Sequence, residues 1–368
     1  MGSRVAGRIV GCAVTGWLAL AAAAALLVPE NAGAQSAASP PRIAFRVVPD
    51  FFKLPDNLYF GEAAGVAVNS HGDVFVFSRG NTSGPAYGAA AAQLLEFDPQ
   101  GRFLREIGHN LYAWSFAHSV RVDRHDNIWV ADKGSDVVVR FNPQGRVTLV
   151  LGRKLEASDE NAHPLAHPHP PLPAQDGLFR QVTDVAWDSD DNIYISDGYI
   201  NSRIARYDHD GNWLGSFGEP GAGPGQFNTP HSLVIDRQDH LYVADRNNRR
   251  IQVFDTTGHL LRIIHIDVPV AADARIVLGS RQAPVNQPGA PWALCITPGP
   301  TQYLYAADAF PGRIYKLSLD GRVLGWLGQA GRQPGQFGWI HALACPSENV
   351  VYAAELLNWR VQKLLLQP

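Results

Sequence analysis

Residues 227–255 read FNTPHSLVIDRQDHLYVADRNNRRIQVFD. Three short apolar-rich runs, 233–235, 241–244 and 251–254, are separated by the polar clusters D-R-Q-D and D-R-N-N-R. Runs of this length, bounded by Asp and Asn, read as strands joined by turns rather than as a helix. A near-copy, FAHSVRVDRHDNIWVADKG, stands at 116–134, and a looser one, WIHALACPSENVVYAAELLN, at 339–358. All three carry a histidine just ahead of the first apolar run: His118, His231 and His341.

Working outward, the unit recurs with starts near residues 61, 116, 181, 229, 290 and 338. Its second runs are DVFVFSRG, NIWVADKG, NIYISDGY, HLYVADRN, YLYAADAF and VVYAAELL. A third run (VVVRF, RIARY, RIQVF, RIYKL, RVQKL) and a fourth opened by glycine (GRFLREIG, GRVTLVLG, GNWLGSFG, GRVLGWLG) follow. Four short strands in each unit, repeated along the chain at these spacings, are the signature of a β-propeller blade, which buries its faces only by stacking on its neighbours. The chain is therefore expected to be all-β, a six-bladed propeller over residues 43–368. The sixth copy ends after its third strand, at WRVQKLLLQP. RIAFRVVPDFF, residues 42–52, has strand composition and is expected to complete that blade and close the ring. The Pro-rich stretch at 157–177 reads as an insertion between the second and third blades.

The bulk composition agrees. The chain has 368 residues, 46% hydrophobic and 18% charged, with a formal net charge of −3. No basic excess points to nucleic acid. Arg4 and Arg8, a long apolar run and the small-residue triplet Ala32-Gly33-Ala34 read as an export signal over 1–34. Residues 35–42 then read as a flexible leader. The mature protein is expected to be secreted or periplasmic, with no membrane association, and monomeric. Cys295 and Cys345 could pair in an oxidising compartment; the sequence leaves this open.

Aligned on the first strand, copies 2, 4 and 6 carry His118, His231 and His341, while copies 1, 3 and 5 carry Ala64, Thr183 and Trp292. Alternate blades of a six-blade ring lie about 120° apart, and the first strand lines the central channel. Three imidazoles would then converge near the axis. Three histidines with one open position suit a catalytic zinc ion, although imidazole also suits copper, iron or nickel. His163, His167 and His169, in the Pro-rich stretch, and His71, His125, His209 and His240, at turns, carry no such phase. Loops leaving the second strands lie on the histidine face and carry Arg79, Lys133, Tyr199 and Arg246. Cations there suit an anionic substrate, and a tyrosine among them can act as a base. For Lys133 an ordinary solvated loop charge remains the blander reading.

The segments GVAVNSHGDVFVFSRGN, FAHSVRVDRHDNIWVADKGSDVVVRF, QVTDVAWDSDDNIYISDGYINSRIARY and NTPHSLVIDRQDHLYVADRNNRRIQVFD resemble peptidyl-α-hydroxyglycine α-amidating lyases, within the wider NHL-repeat propellers. The resemblance covers roughly residues 43–367. It implies a zinc ion held by His118, His231 and His341, a base at Tyr199, and substrate contacts from Arg79 and Arg246. It implies a zinc-dependent carbon–nitrogen lyase in peptide amidation. Such an enzyme cleaves a small molecule or peptide ending in α-hydroxyglycine to an amide and glyoxylate. Trp339 stands where the family usually has methionine and is expected to shape the substrate pocket. Ala342 follows the third histidine where animal enzymes have an aspartate for a structural calcium ion, so that site is expected to be missing or altered. Ile200 replaces a cysteine of the family. Two other readings share the scaffold: a different metal-dependent hydrolase or lactonase, and a non-catalytic NHL binding propeller. Fold alone does not separate them.

Overall fold

A computed structural model describes residue 2 and residues 39–80, 92–154, 173–280 and 282–367. These residues form six four-stranded antiparallel sheets, the six blades of a β-propeller, with two 3-10 turns and no longer helix. The inner strands are Ala63–Val68, Ala117–Val122, Asp184–Trp187, Pro230–Ile235, Ala293–Ile296 and Ile340–Ser347, for blades one to six. The ring closes as the sequence predicts: Phe45–Val48 pairs antiparallel with Arg360–Leu366 as the outer strand of blade six, Phe45 opposite Leu366.

The export signal assigned to 1–34 lies, residue 2 apart, outside the described residues. The leader expected over 35–42 is docked at its described end. Ile43 donates to the Trp326 carbonyl at 2.7 Å, and Pro40 accepts the Trp326 indole N–H at 3.2 Å. Trp326, on the outer strand of blade five, thus holds these residues through both its backbone and its indole. The Pro-rich insertion falls between blades two and three in the chain, but residues 157–172 of it are not described.

Two recurring devices explain why these sequences become blades. The first is the turn after the inner strand. In blade two, Asp123 Oδ1 accepts the backbone N–H groups of His125 and Asn127, both at 2.9 Å, while Asp126 takes a left-handed φ of +60°. Aspartate caps such a turn with its own side chain, and Asp and Asn tolerate that φ. The second device is the acidic residue ending the second strand. Asp245, fully buried, accepts the Asn228 N–H at 2.7 Å and the Arg250 Nε at 2.7 Å. Asp197 joins Arg180 N and Arg203 Nε in blade three, and Glu355 joins Gly338 N and Arg360 Nε in blade six. Each latch ties the segment entering the inner strand to the third strand of the same blade. Hydrogen bonds to a charged group contribute roughly 1.5–3 kcal/mol apiece. The latch fixes the approach to the channel where the histidines stand.

Blades stack through large apolar side chains. Phe77, Trp114 and Phe141 pack at the junction of blades one and two, with ring centroids 4.9 and 5.9 Å apart. Cys295 and Cys345 form a disulfide that joins the inner strands of blades five and six.

Candidate metal centre

His118, His231 and His341 leave their inner strands toward the channel and are buried together. Their ring centroids lie 4.7, 4.6 and 4.9 Å apart, and one ligand nitrogen from each lies within 4.8 Å of the others. Residues 113 and 110 positions apart in the chain thus meet at one point. Just before two of them, Thr229 and Trp339 hold left-handed φ values of +63° and +56°, and Gln181 holds +60° at the same phase ahead of Thr183. A non-glycine residue in that region costs roughly 1–2 kcal/mol. The Asp and Glu latches on either side hold the bend in place.

The histidine-free blades complete the site through their backbone. His118 Nδ1 lies 2.7 Å from the Thr183 carbonyl oxygen, His231 Nδ1 2.7 Å from that of Trp292, and His341 Nδ1 2.7 Å from that of Ala64. A carbonyl only accepts, so each Nδ1 carries the proton and each Nε2 presents a lone pair. Fixing the second ring nitrogen this way is how metal-binding histidines are oriented. Burial pushes all three imidazoles well below their ordinary pKa, and neighbouring cations add to the shift, so they stay neutral. His231 Nε2 is buried without a hydrogen-bond partner among the described residues. An orphaned, neutral, pre-oriented nitrogen donor set fits a zinc ion.

Tyr199 stands above this cluster. Its hydroxyl is 3.4 Å from His118 Nε2 and 3.5 Å from Arg246 Nη1. Burial raises the phenol's pKa, but Arg246, Lys133 and Arg79 outweigh it and bring the net shift below the ordinary value. Arg79 is held in place: Nη1 meets Glu62 at 2.7 Å, Nε meets the Ala117 carbonyl at 3.0 Å, and the guanidinium covers the Phe116 ring at 3.9 Å. Arg246, 5% exposed, stacks on Trp292 at 4.3 Å. Trp339 packs on the same Trp292 at 5.2 Å, and its buried indole N–H has no acceptor among the described residues.

The sequence-chosen residues His118, His231, His341, Tyr199, Arg79 and Arg246 therefore come together, with Trp339 one ring away. Glu62, Phe116 and Trp292 were not foreseen as parts of the site. Trp292 had a signal, since it is a bulky aromatic where the other odd copies have Ala64 and Thr183. The carbonyl acceptors had none, because a backbone oxygen is independent of residue type.

The calcium ion implied by the family does not fit. Ala342 lines a small cavity below the histidines together with Arg121, Asp184 and Ser232. Calcium takes six to eight oxygen ligands. Here a guanidinium already crosses the channel. Arg121 Nε meets Asp184 Oδ1 at 2.9 Å, and Nη2 meets Asp184 Oδ2, Ser232 Oγ at 3.0 Å and the Leu294 carbonyl at 3.2 Å. The carboxylate is spent on a cation the chain itself supplies. The larger hollow, about 630 Å³, opens on the far side of this plug and holds none of the histidines.

The NHL repeat family model matches residues 227–254. Peptidylglycine alpha-amidating monooxygenase of Rattus norvegicus is 31% identical over 231 residues, 56% of this chain and 21% of that protein. A probable peptidyl-alpha-hydroxyglycine alpha-amidating lyase of Caenorhabditis elegans is 27% identical over 211 residues, 53% of this chain and 55% of the relative. The match thus spans about a fifth of the rat protein and about half of the nematode one. A streptogramin B lyase structure superposes with a TM-score of 0.54 over 88% of this chain and 98% of the other, at 14% identity, which bears on the fold alone. The chain is a six-bladed β-propeller that matches the NHL repeat over residues 227–254 and is similar in sequence, over about half its length, to the amidating monooxygenase and lyase named above.

Proposed function

We propose that the chain is an exported, zinc-dependent lyase that cleaves the C–N bond of an α-hydroxyglycine-type substrate, giving an amide and glyoxylate. The observation that carries this reading is the convergence of three neutral histidines beneath a tyrosine flanked by cations. Bound zinc would supply Lewis acidity toward the substrate hydroxyl. Tyr199, favoured as phenolate by Arg246, Lys133 and Arg79, takes the hydroxyl proton. The electron pair of that O–H bond becomes the second bond of the aldehyde carbonyl as the C–N bond breaks. The departing amide nitrogen then receives a proton, returned from Tyr199, so atoms and charge balance without a redox cofactor or a covalent intermediate. Arg79, directed by Glu62, and Arg246 face the substrate carboxylate. The unspent Trp339 N–H is available to an acyl oxygen of the substrate. The Cys295–Cys345 disulfide suits an oxidising compartment, in keeping with export.

The test is to load the purified chain with zinc and supply α-hydroxyhippurate. Benzamide and glyoxylate should be released in equal amounts. Stoichiometric zinc without glyoxylate would reject the reaction, and failure to bind any divalent metal would reject the site.

A further inference from the structure

Three cations stand at one position of the repeat, the residue after the acid or serine that ends the second strand. They are Arg79 after Ser78, Lys133 after Asp132 and Arg246 after Asp245. Blade three has Gly198 there, and a Cβ would lie 2.1 Å from the Pro230 carbonyl oxygen, so no side chain fits. Tyr199, the next residue, fills the gap. Lys133 and Arg246 consequently flank Tyr199 from the blades on either side of it. The Lys133 ammonium lies 4.0 Å from the tyrosine ring centroid and the Arg246 guanidinium 5.4 Å from it.

The cations differ in their compensation. Arg79 has a buried carboxylate, Glu62, at 2.7 Å. Among the described residues, no carboxylate lies within ion-pair distance of Lys133 or Arg246. Asp136, three residues beyond Lys133, takes the Gln181 backbone N–H, and burial pushes its carboxyl up to about 7. Lys133 is placed rather than floating: its backbone N–H donates to the Phe116 carbonyl at 3.0 Å, and Asp132 clamps the N–H groups of Ser115, Phe116 and Gly134 around it. Its ammonium also lies 5.2 Å from the Phe116 ring centroid. Against these two cations the chain sets at most the one charge of a Tyr199 phenolate, so a positive charge is left for an anion from outside the chain.

We propose that Lys133 and Arg246 form the clamp for a substrate carboxylate, with Lys133 setting the preference for a free acid over its neutral amide. The inference builds on the lyase reading and gives Lys133 a second role, contact with the substrate, beside its electrostatic support of Tyr199. The substrate class it selects is a small N-acyl α-hydroxy amino acid with an unblocked carboxylate.

The experiment is calorimetric titration of the zinc-loaded protein with hippurate, which has the carboxylate and acyl group but no hydroxyl, and with hippuramide, its neutral counterpart. The wild type should bind hippurate at least ten-fold more tightly than hippuramide. Lys133→Met should lose at least ten-fold toward hippurate and nothing toward hippuramide, at unchanged zinc content, while Lys133→Arg keeps most of the affinity. With α-hydroxyhippurate, Lys133→Met should raise KM by a similar factor. Equal binding of hippurate by wild type and Lys133→Met, or no discrimination by the wild type, overturns the clamp. Glyoxylate release with a KM indifferent to Lys133→Met overturns the clamp and spares the lyase. Lys133-dependent hippurate binding without turnover of α-hydroxyhippurate does the reverse.

Discussion

Arg121→Met is the most informative perturbation of the scaffold. Arg121 reaches from blade two across the channel to Asp184 of blade three, Ser232 of blade four and the Leu294 carbonyl of blade five. Asp184 also accepts Ser232 Oγ at 2.9 Å and the Leu233 N–H at 3.1 Å, so its carboxylate is the hub of the plug. Its side chain is 2% exposed and that of Arg121 17%. Methionine keeps an unbranched apolar stem and removes the charge, leaving a buried carboxylate with three uncharged donors, Ser232 Oγ and the Leu233 and Val185 N–H groups. Removing one partner of a buried pair costs about 3–5 kcal/mol. Urea unfolding should therefore show a lower midpoint with unchanged slope, the sign of lost stability rather than an altered unfolded state. Arg121→Met with Asp184→Leu should recover part of the loss, because no charge is then buried. Recovery stays partial, since the Leu233 N–H loses its acceptor. Calcium should leave the wild type unchanged. A loss below about 1 kcal/mol, or a calcium-dependent rise in wild-type stability reversed by a chelator, would refute the idea that this ion pair stands in the cation's place.

Three further outcomes are expected. Tyr199→Phe should lower kcat by about 10²–10⁴-fold, the usual range for a general base, at unchanged zinc content; loss of zinc would instead make Tyr199 part of the metal's support. The metal-free protein should lose stability on acidification below about pH 6.5, because the unfolded histidines take up protons that the buried ones refuse. The slope is at most about 1.4 kcal/mol per pH unit for each histidine, and a flat urea midpoint between pH 7.5 and 5 would contradict it. Cys345→Ser opens a crosslink spanning 50 residues and should cost about 4 kcal/mol on loop-closure entropy, read as the same urea midpoint shift in the absence of reductant.

The parts of this molecule legible in its sequence are those written in side-chain phase. The blade count, the strand that closes the ring and the alternation of His118, His231 and His341 all follow from lining up the repeats. What escaped is carried by atoms every residue shares, or by contacts between copies. The carbonyls of Ala64, Thr183 and Trp292 orient the three imidazoles, yet three unlike residues supply them, since only the backbone is used. Glu62 lies 17 residues from Arg79, outside any motif, and it changes Arg79 from a bare cation into a compensated one. Lys133 reads on paper as a solvated loop charge. Only folding puts it against Tyr199, on the opposite flank from its repeat-equivalent Arg246. This division has a physical basis. Repetition fixes where each strand sits, so any function that needs one residue type at one phase leaves a periodic trace. Charge balance belongs to the assembled ring, where every cation is judged by the acids that neighbouring blades bring to it, and no single copy records that sum. A six-fold scaffold with three donors on even blades and three backbone acceptors on odd ones also explains the absence of histidine from alternate copies.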